Sequence, residues 1–278
     1  AAANPQARVF MGTPTWPNHP PMTRGAGLEI AEYRHYDPAG RSIDFAALTK
    51  ALRSARPGDV ALLHACCHNP TGADLSEDQW REVADIVAEG GLIPLIDFAY
   101  QGFGRGLEED AFGVRVMLDA CDEVLVTQSC DKNFGVYRDR VGCLFVKGRD
   151  PDLAAHAMKH LLQISREAWS MPPDHGAAVV RMVLEDEGLA ADWQAELDAM
   201  RGRIRMVRER LAGADPRLAY IAEQQGMFSM LPLSVEQVKG LRESHGIYMA
   251  DSGRANLVGI ADKDLDRFCE AVVGAMNG

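Results

Sequence analysis

The chain has 278 residues, with 29 Lys and Arg against 40 Asp and Glu, and its formal charge of −11 argues against the basic face that a nucleic-acid ligand requires. Hydrophobic residues at 47% and charged residues at 25% are ordinary globular values that give no reason to expect long disordered tracts. No apolar run approaches the roughly 18 residues of a membrane span, and the first twenty residues lack a basic start followed by an apolar stretch. Six cysteines, at 66, 67, 121, 130, 143 and 269, show no C-x-x-C pairing, and four of them lie in apolar runs. The expectation is a cytoplasmic protein with reduced, structural thiols and with no nucleic-acid and no membrane partner.

The first 150 residues alternate short aliphatic runs with helix-period segments, the pattern of strands joined by crossover helices. Strands are predicted at Arg8 to Met11, Val60 to Ala65, Leu92 to Asp97, Glu123 to Thr127 and Val141 to Lys147. Between the second and third, Ser76 and Gln79 form a capping box for a helix whose apolar face is Trp80, Val83, Ile86 and Val87 and which stops at Gly90-Gly91. Strands apolar on both faces belong in a buried parallel sheet, so the fold class is α/β, a mostly parallel sheet with helices on both faces. Beyond Asp150 a helical stretch runs to about Ile164, breaks at Pro172-Pro173 and resumes to Ala212. There Leu197, Met200, Ile204, Val207 and Leu211 read as one long helix packed on a domain, too short a series for a coiled coil. From Gly226, strands at Met227 to Met230, Ile247 to Ala250 and Ala255 to Val258 alternate with helices at 234–243 and 263–276, a smaller C-terminal α+β domain. The expected division is a large domain over 1–185 and a small one over 186–278.

In an open parallel sheet, ligands bind at the carboxyl ends of the strands. Three successive ends carry His68-Asn69-Pro70-Thr71-Gly72, Asp97-Phe98-Ala99-Tyr100 and Ser129-Cys130-Asp131-Lys132-Asn133. Taken singly, each has a plain structural reading as a turn, a helix cap or a solvated lysine. Together they offer what pyridoxal phosphate requires: a lysine for the Schiff base, a carboxylate for the pyridine nitrogen, donors for the ring oxygen and groups for the phosphate.

At these residues the chain resembles the class I aminotransferases, within them the aspartate and aromatic amino acid aminotransferase group. The matching stretches are Thr15 to His19, His64 to Gly72, Asp97 to Phe103, Ser129 to Gly135 with Arg140-Val141-Gly142, Gln225 to Ser229, and Ser252-Gly253-Arg254. The resemblance implies a large domain of the pyridoxal-phosphate-dependent transferase fold, with pyridoxal 5′-phosphate as cofactor. It further implies transamination between an acidic or aromatic L-amino acid and a 2-oxo acid, foremost 2-oxoglutarate, in a homodimer with shared active sites. Lys132 is then the Schiff-base lysine and proton carrier, and Asp97 the partner of the pyridine nitrogen, with His19 and His64 behind it. Tyr100 and Asn69 bond the ring oxygen, Trp16 stacks on the ring, and Ser129 and a bidentate Arg140 hold the phosphate. Arg254 clamps the substrate α-carboxylate beside Phe228, with Trp16 and Asn69 also bordering the substrate. Arg166 matches an arginine that reaches across the dimer to a substrate side-chain carboxylate.

Asp131 stands where the family usually has Ser, a change expected to leave Lys132 and the phosphate contacts in place. Trp169 and Met171 depart from the family near Arg166 and bear on side-chain specificity. The family also has a segment ahead of the Trp16 motif that carries a glycine-rich phosphate turn and a dimer arm. The chain alone is therefore expected to bind the cofactor weakly and to self-associate, and a truncated homologue acting as a non-catalytic binding module is the alternative function. Other chemistry of the same cofactor, decarboxylation or β-elimination, uses Arg254 and Arg166 less well. No metal is expected: His156 and His160 have zinc-like i, i+4 spacing, but Ala157 occupies the place of the glutamate. Cys66 and Cys67 read as packing, His64 as a buried hydrogen-bonded histidine, and Arg201 to Arg210 as a solvated helix face.

Overall fold

Six strands make the central sheet of the computed structural model, which describes residues 1–278. They are β1 (Arg8–Thr13), β2 (Glu29–Arg34), β3 (Val60–His64), β4 (Ile93–Phe98), β5 (Val124–Ser129) and β6 (Gly142–Lys147), ordered β2-β1-β3-β4-β5-β6 across the sheet. The first five are mutually parallel. The edge strand β2 has no counterpart in the sequence reading, because Glu29 and Glu32 interrupt its apolar residues and Arg34 ends it. β6 corrects the expectation of a buried parallel strand, since it runs antiparallel to β5 with Gly142 to Phe145 exposed. Its cause is the connection: residues 130–141 hold no helix, and without a crossover the chain can only double back.

Helices α1 (His19–Gly25), α2 (Phe45–Arg53), α3 (Glu77–Glu89) and α4 (Phe112–Ala120) follow successive strands. α3 starts at the capping box of Ser76 and Gln79 and buries Trp80, Val83, Ile86 and Val87, the face that its spacing demands. Alternation along β1 divides the sheet: Phe10 enters the main core with Leu48, Leu63, Val83 and Met117, whereas Val9 and Met11 join Leu62 in a small cluster on the opposite face.

The rest is mainly helical, with α5 (Pro151–Trp169), α6 (His175–Glu185) and α7 (Glu187–Ala212). α7 links the two cores, giving Leu197 and Ile204 to the first and Val207 and Leu211 to the second. The second core is closed by α8 (Val235–His245) and α9 (Leu265–Asn277), with the antiparallel pair β7 (Phe228–Met230) and β8 (Arg254–Asn256). Ile247 to Ala250 is irregular rather than a strand; its one ladder-like bond is Ala250 N–H to Arg254 O. No helix is long and apolar enough to cross a membrane.

One further expectation changes on α7. Within the Arg201 to Arg210 run, Arg208 is 3% exposed, because its guanidinium turns inward and donates to the carbonyls of Ile221, Gln225, Gly226 and Phe228.

Candidate active site

The carboxyl ends of β3, β4 and β5 open on one cavity of about 760 Å³. Trp16, His19, Asn69, Asp97, Tyr100, Ser129, Lys132, Arg140, Phe228 and Arg254 all border it, and Val9, Leu62, Leu95 and Leu125 of the sheet form its apolar floor. The convergence follows from the parallel ladder. Residue 64 pairs with residue 97, and residues 97 and 98 with 127 and 128, so successive strands end level and deliver their loops to one edge.

Asp97 lies near the last position of β4 and its Oδ2 is 3.1 Å from His19 Nε2. Burial alone would raise its carboxyl, but the His19 hydrogen bond, with smaller help from His64, His19 and Lys132, outweighs it and holds Asp97 below the ordinary carboxylate range. The Lys132 ammonium sits 5.0 Å from the centre of the Tyr100 ring. Burial pulls this amine below its usual value, against Asp131 and Asp97, which both favour the charged form. Tyr100, pushed up to about 12 by burial, keeps its phenol proton at neutral pH and accepts from Asn69 Nδ2 at 3.3 Å. Asn69 is buried, and its other amide atom has no partner, so hydrogen-bonding capacity stands open beside Tyr100.

On the side of the second core, Arg254 lies over the Phe228 ring at 5.2 Å, and Phe228 meets Tyr100 edge to face at 6.2 Å. Arg208 fixes this wall, since its bonds to the Gln225, Gly226 and Phe228 carbonyls tie the segment to α7, while Gln225 N–H donates to Gly72 O. Gly72, at φ +72°, leaves no room for a side chain: a Cβ there would come within 2.6 Å of Phe228 O. Arg166 is not brought to the cavity within one chain; it stands exposed in the last turn of α5.

Two parts of the arrangement add to the sequence reading. Asp131 touches Arg140, the residue expected to hold the phosphate: its carboxylate pairs with Arg140 Nη1 and accepts from Val141 N–H, because the turn through Arg140 folds back over it. His64 lies 5.2 Å from His19 as expected, but its Nε2 finds no hydrogen-bond partner. It belongs to a row of four imidazoles, His19, His64, His68 and His35, whose consecutive rings lie 5.2, 4.2 and 4.0 Å apart. Burial lowers the last three, His64 to about 3 and His35 to about 4, so they are neutral near pH 7. His35 and Arg208 carried no signal in the sequence, since the spacing of a lone histidine or of one arginine among several does not report burial.

Could these residues hold pyridoxal phosphate? The residues fit: an amine, a half-buried carboxylate held below its ordinary range, a phenol with an amide N–H beside it, and at the strand end a hydroxyl and a guanidinium, all around one cavity. The sequence profile of the family "Aminotransferase class I and II" matches residues 1–272. The chain is 50% identical over 256 residues to the tyrosine aminotransferase of Rhizobium meliloti (strain 1021), covering 91% of this chain and 66% of that protein. It is 42% identical over 282 residues to the aspartate aminotransferase of Salmonella typhi, covering 99% of this chain and 71% of that protein. Its fold is similar to that of an aromatic-amino-acid aminotransferase from Burkholderia pseudomallei covalently bound to pyridoxal phosphate, with a TM-score of 0.95, 39% identity and coverage of 99% and 70% of the two chains. The chain thus spans 66% to 71% of the length of these curated relatives. With the profile running over almost the whole sequence and the strand ends gathered as they are, the chain belongs to the class I and II aminotransferases, a family of pyridoxal-phosphate-dependent enzymes.

Proposed function

We propose that this chain carries out transamination between an acidic or aromatic L-amino acid and a 2-oxo acid, foremost 2-oxoglutarate, with pyridoxal phosphate in the cavity described above. The observation that carries the reading is the placement of Lys132, Asp97 and Arg254 around one cavity. When bound, pyridoxal phosphate supplies an aldehyde carbon and an electron-accepting ring.

The chain's own residues do the rest. Lys132 would provide the amine that holds the cofactor's aldehyde carbon, and would hold and move the proton at the substrate α-carbon; its lowered basicity suits both tasks. Asp97, kept anionic by His19, holds a proton on the ring nitrogen, and the neutral imidazoles behind His19 add no competing charge. Tyr100 and Asn69 orient the ring oxygen through donors, the phenol O–H and the amide Nδ2–H. Trp16 borders the same cavity. Arg254 is the planar cation for the carboxylate common to all amino acids, and Phe228 beneath it limits where that carboxylate can lie. Arg166 serves acidic side chains from the partner subunit of a homodimer. Support for that role is its exposure on α5, a helix that buries none of its residues and carries Leu153, Met158, Leu162 and Trp169 outward. The two-domain division at 185/186 belongs to the same proposal.

The test is amino transfer from L-tyrosine or L-aspartate to 2-oxoglutarate with added pyridoxal phosphate, read as glutamate formed. Glutamate above the level given by Lys132→Ala supports the reading, and equal amounts from both chains contradict it.

A further inference from the structure

The phosphate-binding end of the cavity has an internal anion of its own. Asp131 is 3% exposed and does not border the cavity, yet its carboxylate pairs with Arg140, which does. Both carboxylate oxygens are used: one takes Arg140 Nη1 and the other accepts from Val141 N–H at 2.9 Å. Arg140 Nη1 also donates to Tyr137 O at 2.9 Å, while its Nε and Nη2 edge makes no bond within the chain and its side chain is 71% exposed. The guanidinium therefore offers one free edge to a ligand while its charge is already balanced from behind.

The geometry points to Asp131 as a residue that weakens the hold of this site on a phosphate ester. The inference rests on reading the cavity as a pyridoxal phosphate site. Two effects of the carboxylate oppose each other. It orients Arg140, which favours anion binding, and it places a buried negative charge close behind the guanidinium, which disfavours a dianion. Orientation is shared with Tyr137 O and with the turn itself, so removing the carboxylate leaves Arg140 partly held. Arg140 is the one ion-pair partner of Asp131, and Ser129 Oγ, which accepts from Asp131 N–H, is neutral. Charge wins, and loss of the carboxylate should tighten phosphate binding by about tenfold, a value discounted from the bare Coulomb energy because Arg140 is exposed.

Asp131→Asn is the informative variant, since an amide oxygen can still accept from Val141 N–H, and Asp131→Ser is the second should the first fail to fold. Wild type and both variants are titrated with pyridoxal 5′-phosphate and with pyridoxal, which lacks the phosphate, following fluorescence quenching. The expected result is a Kd for the phosphate ester that falls about tenfold further in the variants than the Kd for pyridoxal, whose own change reports the effect of Asp131 on Lys132. Equal or weaker binding of the phosphate ester, with pyridoxal still bound, overturns the inference alone. Equal tightening of both ligands assigns the effect to Lys132 and overturns it too. Failure of every chain to bind pyridoxal 5′-phosphate overturns the cofactor reading and this inference with it.

Discussion

His19 bridges Thr15 and Asp97: its Nδ1 lies 2.8 Å from the Thr15 hydroxyl and its Nε2 3.1 Å from Asp97 Oδ2. With the threonine donating to Nδ1, the ring donates its Nε2–H to the carboxylate. Because this bond lowers Asp97 against the effect of burial, His19→Ala should raise the Asp97 pKa. The carboxylate is then lost at a higher pH as the solution is acidified, and the acid limb of kcat/KM should move upward while the rate near pH 8 is largely kept. An unmoved limb would show that His19 does not set the state of Asp97. Asp97→Asn, which cannot become anionic at any pH, should cost about a hundredfold or more in kcat.

The two arginines should differ in kind. Arg254→Ala is expected to weaken every amino acid substrate, by roughly 2 to 5 kcal/mol in kcat/KM. Arg166→Ala is expected to cost a similar amount with aspartate or glutamate and to spare phenylalanine and tyrosine. Steady-state kinetics with both substrate classes decide the matter, and equal losses on phenylalanine and aspartate would make Arg166 structural.

The histidine row has a cost in acid. His35 is lowered from the usual value near 6.5 to about 4, so below pH 6.5 the unfolded chain binds its proton and the folded chain does not. Stability therefore falls as pH drops, by about 2 kcal/mol at pH 5 from His35 alone. Urea unfolding at pH 8 and pH 5 should show a smaller difference for His35→Gln than for wild type. The same difference in both would show that His35 ionises freely in the folded chain.

Much of this was legible in the sequence. The strand ends that carry Asn69, Asp97 and Lys132 stand out because aliphatic runs stop there at polar residues, and a capped helix such as α3 announces its start and its buried face. Other parts were not legible, for reasons of partnership. β2 is an edge strand whose glutamates reach solvent, and β6 reverses direction because of what the preceding loop lacks. Asp131 next to Lys132 reads as a local substitution until the turn at Arg140 brings the two charges together. Arg208 looks like its exposed neighbours, since period alone does not say that carbonyls 18 residues away will meet it.

Arg208 offers a direct check on that last point. Burial pushes its guanidinium down to about 10, so it remains charged at neutral pH with backbone carbonyls as its hydrogen-bond partners. Arg208→Met keeps much of the volume and leaves the Ile221, Gln225, Gly226 and Phe228 carbonyls without this donor. A loss of about 3 kcal/mol or more in urea unfolding is expected, and with it a raised KM, because Phe228 and the nearby Arg254 lose their support. A loss under about 1 kcal/mol would mean that water replaces the guanidinium without penalty.

The central claim is that Lys132 is the amine that holds pyridoxal phosphate. The chain is incubated with pyridoxal 5′-phosphate, reduced with borohydride, digested and read by mass spectrometry. The account predicts a phosphopyridoxyl group on the peptide containing Lys132, absent from Lys132→Ala and reduced when an amino acid substrate is added first. Label on a different lysine, or equal label in the Lys132→Ala chain, would contradict it.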